Sequence, residues 1–505
     1  MGEGTLLIRA DANLAMGTGH VMRCLALAQA WQDIGGTAAF AMADPCTWAR
    51  ERLMKESVEV IGISASSTEE DARQTAEIAR HQAAVWVVVD GYQFGADYQR
   101  TLKSAGFKIL FVDDYGHAGC YCADLVLNQN VSADESAYEH REPYTRLLLG
   151  PQYCMLRREF NSWRAWRRKI APSGYRVLVT MGGSDPEGVT ERAIAALNSI
   201  EDDHLEGTVV VGGGNPRLEL LERAVAGVGK KKIVLRRDVS NMAELMAWAD
   251  VAISAAGTTC WEMCLMGLPA LLVDLAENQT RVARELDRRG CAIHLGGSHD
   301  FSAEKIVEQG GRLLRSQEDR QAMSLRCREL VDEKGARRVV SALRGVELFL
   351  RPAQEKDSHL LWVWANDPGV RAAAFSSTPI PWEQHEAWFT SKMGDPDCHL
   401  LIAEDGQGRA IGQLRTDWRS SEDAYIDVSV SSECRGEGYG RKLIGQGVNR
   451  VLAERRSARL HAFVKPENRA SRRSFESAGF GSLGEEYVNG HLAIHYVRTA
   501  KPDQD

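Results

Sequence analysis

A histidine follows two glycines near the beginning of the chain. Residues 17–20 read Gly-Thr-Gly-His, between a short apolar run at 6–8 and a helical pattern at 24–31. Glycines between a strand and a helix let the backbone approach a ligand at the positive end of the helix dipole. The same dipoles disfavour the imidazolium form, so we expect His20 to be a neutral ring that can accept a proton. This makes His20 a candidate general base, although an ordinary turn with a solvated histidine has the same spacing.

Two turns in the middle of the chain are suited to phosphate. Residues 182–186 read Gly-Gly-Ser-Asp-Pro, which combines a strand end with a helix-capping Asp and a Pro at the first helical position. Residues 254–262 read Ser-Ala-Ala-Gly-Thr-Thr-Cys-Trp-Glu, and the free amides and hydroxyls of such a helix start suit a diphosphate. Glu262 could accept hydrogen bonds from a ribose diol or could simply be a favourable first-turn charge. Another strand, within residues 267–273, precedes Asn278 and Gln279.

A third glycine-rich turn lies in the last third of the chain. Residues 435–441 read Arg-Gly-Glu-Gly-Tyr-Gly-Arg, after a strand that ends at Val430 and before apolar residues at helical spacing. Such a turn forms a nest of backbone amides for a pyrophosphate. A glycine string alone is weak evidence, but Asn468 and Ser471 follow a later strand, ahead of a Gly-Phe pair.

A metal site is not indicated. His117, Cys120 and Cys122 could ligate a metal, but they lack a fourth partner and match no standard zinc spacing, so we interpret this stretch as a loop with small buried cysteines. The region before residue 345 contains no Asp-x-Asp motif, and residues 395–397, which do match it, lie further on. We therefore expect no metal.

The elements that position these motifs are predicted from short apolar runs that end in Asp or Gly. Such runs are 85–89 before Asp90, 108–112 before Asp113, 176–180 before Gly182, 208–211 before Gly212 and 251–254 before Gly257. They indicate buried parallel strands with functional residues at their carboxyl ends, alternating with helices in doubly wound sheets. A polar, tryptophan-bearing stretch, 157–174, is the best linker between two such halves, and the cleft between them is the expected ligand site. The pattern changes near residue 346 to that of an α+β domain.

Length and composition restrict the number of domains and the class of protein. The 505 residues suggest about three domains, with 44% hydrophobic and 26% charged residues, as in globular proteins. A net charge of -8 without a basic block argues against nucleic acid as a partner. No apolar run approaches the ~18–20 residues of a membrane span, and no signal peptide is recognisable. Eleven scattered cysteines fit reduced thiols, so we expect a cytoplasmic protein.

The order of motifs in residues 5–345 resembles the UDP-sugar hydrolases of pseudaminic acid biosynthesis, which release UDP from UDP-2,4-diacetamido-2,4,6-trideoxy-β-L-altropyranose. The resemblance rests on Arg-Ala-Asp, Gly-x-Gly-His-x-x-Arg, Gly-Gly-Ser-Asp-Pro, Ser-Ala-x-Gly-Thr-x-x-Trp-Glu and Asn-Gln. It implies a GT-B fold, similar to that of the bacterial N-acetylglucosaminyltransferase of peptidoglycan precursor synthesis. It also implies that His20 is the base for an inverting attack of water on the anomeric carbon, that Asn278 contacts the sugar and that the helix of Glu262 holds UDP.

The remaining site residues of this region follow from the same motifs. Asp11 is a second catalytic candidate, which could orient His20 or bind a sugar hydroxyl. The predicted substrate-binding residues are Gly17, Gly19, Arg23, Gly183, Ser184, Gly257, Thr258, Thr259, Glu262, Asn278 and Gln279.

Residues 346–500 are similar to the GNAT superfamily of N-acetyltransferases. The similarity rests on the Arg-x-x-Gly-x-Gly turn and the later Asn-x-x-Ser and Gly-Phe elements. It implies acetyl-CoA as co-substrate, lying across residues 428–441 with Asn468 near its pantetheine or phosphate end. The predicted cofactor-binding residues are Val428, Val430, Arg435, Gly436, Gly438, Tyr439, Gly440, Arg441 and Asn468.

One position departs from the superfamily. Many members have a tyrosine seven residues after the asparagine, where it protonates the departing thiolate, but Phe475 stands there in this chain. The acid must be another group or water, and the candidates that the sequence offers are Tyr425, Tyr439 and Tyr487. For the base that deprotonates the acceptor amine, the sequence offers Glu404, Asp427 and His399.

The sequence thus predicts an α/β chain with a GT-B-like pair of Rossmann-type domains, 1–160 and 161–345, followed by a GNAT domain, 346–505. The two resemblances imply consecutive steps of pseudaminic acid synthesis. An acetyltransferase acylates the 4-amino group of UDP-4-amino-4,6-dideoxy-N-acetyl-β-L-altrosamine, and the hydrolase then removes UDP from the product. The alternatives are a GT-B glycosyltransferase using a UDP-sugar, an acyltransferase for another amino sugar or acyl group, and a CoA-sensing module without turnover.

Overall fold

A computed structural model describes most of the chain. The described residues are 3–12, 17–43, 47–183, 185, 187–212, 215–229, 231–237, 239–299, 301–344, 348–405, 408–435, 439–455 and 457–499. Of the predicted site residues, Ser184, Gly436 and Gly438 lie outside them. The chain divides into two compact units, residues 1–343 and 344–505.

The first unit begins with a parallel sheet of seven strands. Its elements are β1 (Thr5–Ala10), α1 (Gly19–Gln32), β2 (Thr37–Met42), α2 (Thr47–Lys55), β3 (Glu59–Gly62), α3 (Thr68–His81), β4 (Ala84–Asp90), α4 (Ala96–Ser104), β5 (Ile109–Val112), β6 (Leu125–Asn128) and β7 (Arg146–Leu149). The strand order is β3-β2-β1-β4-β5-β6-β7. The order therefore reverses between β1 and β4, and the crevice at such a switch point is where ligands bind in doubly wound sheets.

A second parallel sheet of six strands completes this unit. Its elements are β8 (Arg176–Thr180), α5 (Val189–Ser199), β9 (Glu206–Val211), α6 (Leu218–Ala226), β10 (Lys232–Arg237), α7 (Met242–Trp248), β11 (Val251–Ala255), α8 (Thr259–Met266), β12 (Ala270–Asp274), α9 (Glu277–Arg288), β13 (Ile293–Gly297), α10 (Ala303–Arg315), α11 (Gln317–Leu330) and α12 (Gly335–Leu343). The order is β10-β9-β8-β11-β12-β13, with the switch point between β8 and β11. The glycine-rich turns at residues 182–183 and 257 therefore follow the two strands that flank this switch point.

Strand β4 shows why the apolar runs fold as they do. Val88 packs into one hydrophobic core of the first sheet, whereas Val87 and Val89 pack into the core on the opposite face. Because helices cover both faces, alternate side chains are all buried, and the run is continuously apolar. The run ends at Asp90, the first position at which the strand carries a charge.

The last helix of the first unit returns to its first sheet. Ala336, Val339 and Leu343 of α12 pack in the same core as Leu25 of α1. Helix α12 lies within the residues up to 345 that were predicted to belong to the second half. Its apolar side chains nevertheless belong to the core of the first half.

The second unit is built on one sheet of seven strands. Its elements are β14 (Phe349–Pro352), α13 (Ser358–Ala365), α14 (Pro368–Ala373), α15 (Trp382–Met393), β15 (Cys398–Glu404), β16 (Ala410–Trp418), β17 (Asp423–Val430), α16 (Tyr439–Glu454), β18 (Arg459–Val464), α17 (Arg469–Ser477), β19 (Gly481–Val488) and β20 (His491–Thr499). The order is β14-β15-β16-β17-β18-β20-β19. The main apolar core lies on the face covered by α16 and α17 and includes Ile426, Leu460, Val448 and Phe475.

Strands β17 and β18 are parallel but separate early. They pair only from Asp423↔Arg459 to Tyr425↔His461, and beyond that point the ladder partners of β17 are on β16 alone. The remaining part of β17, up to Val430, is therefore open on the β18 side. This opening is the feature of the second unit that a ligand can use, because unpaired strand edges present backbone donors and acceptors.

Two properties of the described residues complete the fold. Within these segments, no helix combines the length and the apolar character required to cross a bilayer. The ten cysteines that the structure describes are all free thiols.

Candidate active site

A deep cleft lies between the two parallel sheets of the first unit. Its volume is about 750 Å³, and it is lined by loops from the carboxyl ends of strands in both sheets. The first sheet contributes His20 and Tyr92, and the second contributes Gly183, Thr258 and Asn278. The switch points of both sheets therefore open into one cavity, which is the expected position of a ligand.

His20 lies in the first turn of α1 and lines this cleft. Its Nδ1 is 2.6 Å from Oδ1 of Asp90, and its ring packs edge-on against Tyr92 with the centroids 4.9 Å apart. A carboxylate at Nδ1 assigns the proton of the neutral ring to that nitrogen and leaves the lone pair on Nε2. His20 is thus a buried, oriented imidazole at the cleft wall, with Nε2 able to accept a proton.

Asp90 is held by more than the histidine. Nε and NH2 of Arg23 donate to its two carboxylate oxygens, each at 2.7 Å, and Cys24 Sγ lies 3.2 Å from Oδ2. Burial opposes ionisation of Asp90, but Arg23 and His20 outweigh it and keep the pKa of this carboxyl below its usual range. Asp90 is therefore an anion with fixed geometry, as a partner that stabilises an imidazolium has to be.

A second carboxylate completes this network. NH1 of Arg23 donates to Asp114 at 2.8 Å, so Arg23 lies between Asp90 and Asp114. Burial raises the pKa of Asp114, but the charge of Arg23 outweighs burial and lowers it overall. Two carboxylates around one guanidinium leave a single net negative charge, which a proton arriving on His20 would neutralise. Arg23 was predicted to bind substrate; it lines the cleft and also orders both carboxylates.

The expectation that Asp11 orients His20 is wrong. Oδ1 of Asp11 accepts from Arg9 at 2.6 Å and from the amide of Ala43 at 2.8 Å, and Oδ2 accepts from Gln93 at 3.2 Å. Asp11 follows β1, and its side chain joins Arg9 to the segments after β2 and β4, whereas the ring of His20 is held by Asp90 of β4. The sequence signal for Asp90 was present in the run 85–89 that stops there.

A tyrosine and an asparagine join the two halves of the cleft. Nδ2 of Asn278, at the start of α9, donates to the hydroxyl of Tyr92 at 2.6 Å, and this hydroxyl donates to Asp114 at 2.7 Å. Burial, followed by the charge of Asp114, raises the pKa of Tyr92, so its hydroxyl keeps its proton. Asn278 is therefore connected to the network of His20. The sequence analysis named Asn278 but missed Tyr92, which follows the strand end at Asp90.

Glycine loops from the two halves approach closely beside His20. A Cβ built on Gly183 would lie 2.5 Å from Cγ2 of Thr18, so no other residue fits there without displacing that side chain. A Cβ on Gly19 would lie 3.5 Å from Oγ1 of Thr258. The close approach explains the glycine at position 183, whereas a Cβ at position 19 would make only an ordinary contact. Gly17, Gly257 and Thr259 also line the cleft, and α8 begins at Thr259, so its positive end faces the same region.

Glu262 is ion-paired on the wall of the cleft. NH2 of Arg157 donates to its Oε1 at 2.8 Å, and both residues line the cavity. Burial opposes the charge of Arg157, but Glu262 and Glu159 outweigh it and raise the pKa of the guanidinium. Arg157 was missed because it lies at the start of the stretch read as a linker. Within this stretch Arg157 lies on the cleft wall, whereas residues 171–173 near its other end are exposed.

Gln279 has a local role in addition to lining the cavity. Its Oε1 accepts a hydrogen bond from the amide of Leu275 at 3.0 Å, which fixes the turn between β12 and α9. Asp185 similarly accepts from the amides of Val189 and Thr190, at 2.9 and 2.7 Å. It thus binds the first amides of α5, but this helix begins only at Val189 with Gly188 as its N-cap, so the predicted helix start directly after Asp185 is wrong. These contacts fix the helix starts that carry the cleft residues.

The loop with His117 is packed and hydrogen-bonded. His117 Nε2 is 3.2 Å from the carbonyl oxygen of Phe94, and its Nδ1 is 3.3 Å from Oδ2 of Asp113. Burial lowers the pKa of His117, but Asp113 outweighs it and raises the value overall. Over the parts of the chain with described coordinates, no group of three or more His, Cys, Asp or Glu side chains is arranged to hold a metal.

The second unit carries its candidate site at the opening between β17 and β18. Val428 and Val430 lie on the open part of β17. Nε of Arg435 donates to the carbonyl oxygen of Val430 at 3.1 Å, and its NH2 donates to Asp367 at 2.6 Å. Arg435 therefore links the end of β17 to the residue that caps α14.

The remaining predicted cofactor residues surround the start of α16. Tyr439 and Gly440 form its first turn, and Arg441 is exposed on its surface. A Cβ on Gly440 would lie 3.6 Å from Oγ of Ser474 on α17. Asn468 caps α17 through a 3.1 Å bond from the amide of Ser471 to its Oδ1. The start of α16 thus lies beside the end of the open part of β17, since the Cβ built on Gly440 would lie 3.8 Å from Cγ2 of Val430.

Two of the three candidate bases lie away from this opening. Glu404 accepts from Arg351 at 2.7 Å on the far strand pair, β14 and β15. His399 has its Nδ1 3.8 Å from Glu454, at the end of α16. Asp427 does lie on the open part of β17, where it accepts from Gln413 at 2.7 Å. Glu404 and His399 were wrong expectations, because sequence proximity to strands does not reveal which end or face of the sheet a side chain occupies.

The tyrosines that were candidates for the acid lie at different distances from this opening. Tyr487 is 77% exposed on β19, whereas Tyr425 stacks on His461 with centroids 5.1 Å apart at the point where β17 and β18 separate. Phe475 is buried in the core, where it packs edge-on against Phe480. The position of the missing hydroxyl is therefore part of the apolar core.

Sequence families agree with this division of the chain. The Acetyltransferase (GNAT) domain family matches residues 347–481, and the Glycosyltransferase family 28 C-terminal domain family matches residues 177–339. The chain joins a GT-B pair of domains to a GNAT acetyltransferase domain. It is an enzyme, and its GT-B and GNAT parts correspond to the two units of the structure. The predicted fold class is confirmed.

Three relatives span different parts of the GT-B and GNAT regions. An uncharacterized protein of Methanocaldococcus jannaschii is 23% identical over 94% of this chain and 96% of its own length. The UDP-2,4-diacetamido-2,4,6-trideoxy-beta-L-altropyranose hydrolase of Campylobacter jejuni is 24% identical over 57% of this chain and 98% of its own length. The spore coat polysaccharide biosynthesis protein SpsG of Bacillus subtilis is 29% identical over 47% of this chain and 69% of its own length.

Proposed function

We propose that this chain carries out two consecutive reactions on a UDP-linked amino sugar. The GNAT domain transfers an acetyl group from acetyl-CoA to the 4-amino group of a UDP-4-amino-4,6-dideoxy sugar. The GT-B domains then hydrolyse the product, UDP-2,4-diacetamido-2,4,6-trideoxy-β-L-altropyranose, and release UDP. On this proposal, the chain acts in pseudaminic acid synthesis. The similarity of the first unit to the whole Campylobacter jejuni hydrolase supports the second step.

The observation that carries the hydrolytic reaction is the pair of His20 and Asp90. With its proton on Nδ1 toward Asp90, the ring offers the lone pair of Nε2 to a water in the cleft. As the water oxygen forms a bond to the anomeric carbon, its proton moves to Nε2 and the bond from that carbon to the phosphate oxygen breaks. Asp90 stabilises the imidazolium that forms. Attack from the side opposite the departing UDP inverts the anomeric carbon.

The leaving group requires electrostatic stabilisation rather than protonation. Charge develops on the diphosphate as the bond breaks, and the positive end of α8, with Thr258 and Thr259, lies on the cleft wall. UDP is already a good leaving group, so a preorganised set of amides and hydroxyls is sufficient. Glu262, fixed by Arg157, is positioned to accept from a ribose hydroxyl.

The acetyl transfer uses the open edge of β17. We place the pantetheine of acetyl-CoA along residues 428–430, where β18 no longer pairs, and its pyrophosphate at the turn before α16. The amide-rich turn and the start of α16 attract the phosphates. The acceptor amine then attacks the acetyl carbonyl, which forms an amide and releases the CoA thiol.

A mass-spectrometric assay tests both steps. We expect the amino UDP-sugar alone to be unchanged, and the same sugar with acetyl-CoA to gain one acetyl group and then to lose UDP. Release of UDP without acetyl-CoA would contradict the order, and the absence of any acetylated product would contradict the first reaction.

A glycosyltransferase is the second candidate for the GT-B domains, because residues 177–339 match a glycosyltransferase family. In this reaction a hydroxyl of an acceptor replaces water. Incubation with the diacetamido UDP-sugar and no acceptor separates the two functions, since a transferase releases little UDP under these conditions. Release of UDP with many turnovers supports the hydrolase.

A further inference from the structure

Three side chains on the sheet of the second unit form a hydrogen-bonded chain that none of the assignments above uses. Nε2 of His461 is 3.0 Å from Oδ1 of Asp423, and Nδ1 of His461 is 2.9 Å from Nε2 of His495. The residues come from β17, β18 and β20, and the two imidazole side chains are only 13% and 16% exposed. We call Asp423, His461 and His495 the imidazole chain.

The carboxylate at one end fixes the protons along this chain. Arg459 donates two hydrogen bonds to Asp423 and, with His461, keeps the pKa of this carboxyl below its usual range. An ionised Asp423 accepts from Nε2 of His461, so Nδ1 of a neutral His461 accepts from Nε2 of His495. The lone pair of the neutral His495 is then on Nδ1, the free end of the imidazole chain.

The imidazole chain lies where β17 and β18 separate. Tyr425↔His461 is the last paired position, and Phe463 with His495 is the next step toward the opening. The ring of His495 packs on Phe463 with centroids 4.5 Å apart. Ile494 and Tyr496, the neighbours of His495 on β20, face the apolar core under α16. Since side chains alternate along a strand, His495 faces the other side of the sheet.

The segment 367–375, which contains α14, lies near the ends of these strands. Asp367 binds Arg435 at 2.6 Å, the carbonyl oxygen of Ala372 accepts from Lys465 at 2.9 Å, and the ring of Phe375 lies 6.4 Å from that of His491. Residues 367–375 are thus attached to the turn before α16, to the end of β18 and to the beginning of β20. This segment therefore borders the proposed acetyl-CoA edge, at the end of the sheet toward which β17 and β18 separate.

We propose that His495, oriented by His461 and Asp423, removes the proton from the acceptor ammonium before acetyl transfer. The assignment rests on the proposed acetyltransferase function. The N–H bond of the ammonium breaks, and its proton moves to Nδ1 of His495. The freed amine forms a C–N bond to the acetyl carbonyl, the C–S bond breaks, and the thiolate of CoA takes up a proton from solvent. The imidazolium then returns its proton to solvent.

The charges around His495 suit this role. Burial lowers the pKa of His495, and His461 lowers it further, against the opposing effect of Glu486 on β19. The ring is therefore neutral and basic near neutral pH. Oε1 of Glu486 is 3.6 Å from Nδ1, so this carboxylate and, through His461, Asp423 stabilise the imidazolium after proton transfer. Arg459 is the cation next to Asp423, and it compensates only that carboxylate.

The test is the pH profile of acetyl transfer by the full chain, with the amino UDP-sugar as acceptor. His495→Gln keeps an amide donor toward His461 but has no basic nitrogen. We expect kcat to fall about 100-fold at pH 7, the usual contribution of a general base. The deficit should shrink as pH rises, because the unassisted fraction of free amine then increases. In His461→Gln, kcat should fall less than in His495→Gln, and the acidic limb of the pH profile should shift.

Controls separate this assignment from the function on which it rests. Binding of acetyl-CoA, measured by calorimetry, should be unchanged in each variant, which also shows that the domain is folded. His399→Gln, whose ring lies beside Glu454 on the opposite face of the sheet, should retain the rate and the pH profile of the parent. If the parent acetylates no amino UDP-sugar, the proposed function is wrong. If the parent is active and His495→Gln has the same rate and profile, the assignment of His495 alone is overturned.

Discussion

Nδ2 of Asn278 donates a hydrogen bond to the hydroxyl of Tyr92 across the cleft of the GT-B domains, with the two atoms 2.6 Å apart. Tyr92 in turn donates to Asp114, and Asp114 shares Arg23 with Asp90, the partner of His20. The residue that the sequence resemblance places on the sugar is thereby connected to the proposed base. The contact between the two halves and the orientation of His20 are therefore parts of one hydrogen-bond network.

Removing this link should weaken both substrate binding and turnover. Tyr92→Phe keeps the ring against His20 but loses the hydroxyl, and Asn278→Ala loses the donor. Each change should lower kcat/KM for UDP release, and the double variant should lose less than the sum, with a coupling energy of about 0.5–3 kcal/mol. Steady-state kinetics of the four proteins measure it. Additive losses would show that the contact does not act across the cleft.

Asp90 and Asp11 provide a matched pair of buried aspartates. Asp90→Asn removes the anion beside Nδ1 of His20 and should lower kcat for UDP release by about 100- to 10,000-fold, with a small change in KM. Asp11→Asn acts on a carboxylate bound to Arg9 and Ala43, so it should cost about 1–2 kcal/mol of stability and leave kcat nearly unchanged. A larger fall in kcat in Asp11→Asn than in Asp90→Asn would show that Asp11 is the residue that orients His20.

His20→Ala should abolish UDP release and leave acetyl transfer intact. The side chain lies in the cleft of the first unit, and the proposed acetyl-CoA site lies wholly in the second. Both activities are followed in one assay, by the masses of the acetylated UDP-sugar and of UDP. Retained hydrolysis in the folded variant would contradict the base, whereas loss of both activities would contradict two independent sites.

Gly440→Val should block acetyl-CoA binding. A single Cβ fits, since its nearest neighbours would be Ser474 at 3.6 Å and Val430 at 3.8 Å, but larger groups enter the proposed pyrophosphate turn. We expect affinity to fall at least about tenfold, or roughly 1.4 kcal/mol, by calorimetry. Gly445→Ala is the control, because a Cβ there meets nothing within 4 Å. Hydrolysis of a pre-acetylated substrate should be normal in both proteins.

The pair of Asp113 and His117 predicts a pH-dependent contribution to stability. Burial raises the pKa of Asp113, but His117 and Tyr121 outweigh it and lower it to about 2; the pKa of His117 is raised. The lowered pKa of Asp113 stabilises the folded state at pH values above the ordinary pKa of about 4. This stabilisation is lost as pH falls to about 2, the pKa in the folded protein. The raised pKa of His117 stabilises the folded state below about pH 6.5, the ordinary pKa of histidine. This stabilisation is lost as pH rises through the pKa of His117 in the folded protein.

Thermal unfolding of Asp113→Asn checks this expectation. The parent should exceed the variant most near pH 5, where both groups are charged, by about 2 kcal/mol in the free energy of unfolding. The difference should decrease at pH 2.5 and at pH 8.5. A difference that is constant with pH would show that the two groups do not interact as ions.

The sequence alone determined the elements and the turns. The runs ending at Asp90, Gly182 and Gly257 are strands whose carboxyl ends face the cleft, because strands buried on both faces must be continuously apolar and parallel strands end at one edge. The position of His20 at the start of a helix was predicted in the same way, from the glycines on either side of the preceding threonine. These patterns are readable because strand and turn preferences act over a few neighbouring residues.

Only the tertiary structure decided which side chains meet. Asp90 rather than Asp11 holds His20, Arg157 holds Glu262 and His495 lies beside His461, each across 34 or more positions of the chain. Such contacts depend on sheet order and on the face to which a strand turns, and a single sequence carries no signal for either at that distance. The chemical type of each side chain can be read directly from the sequence, but which other side chain it contacts depends on how the whole sheet packs.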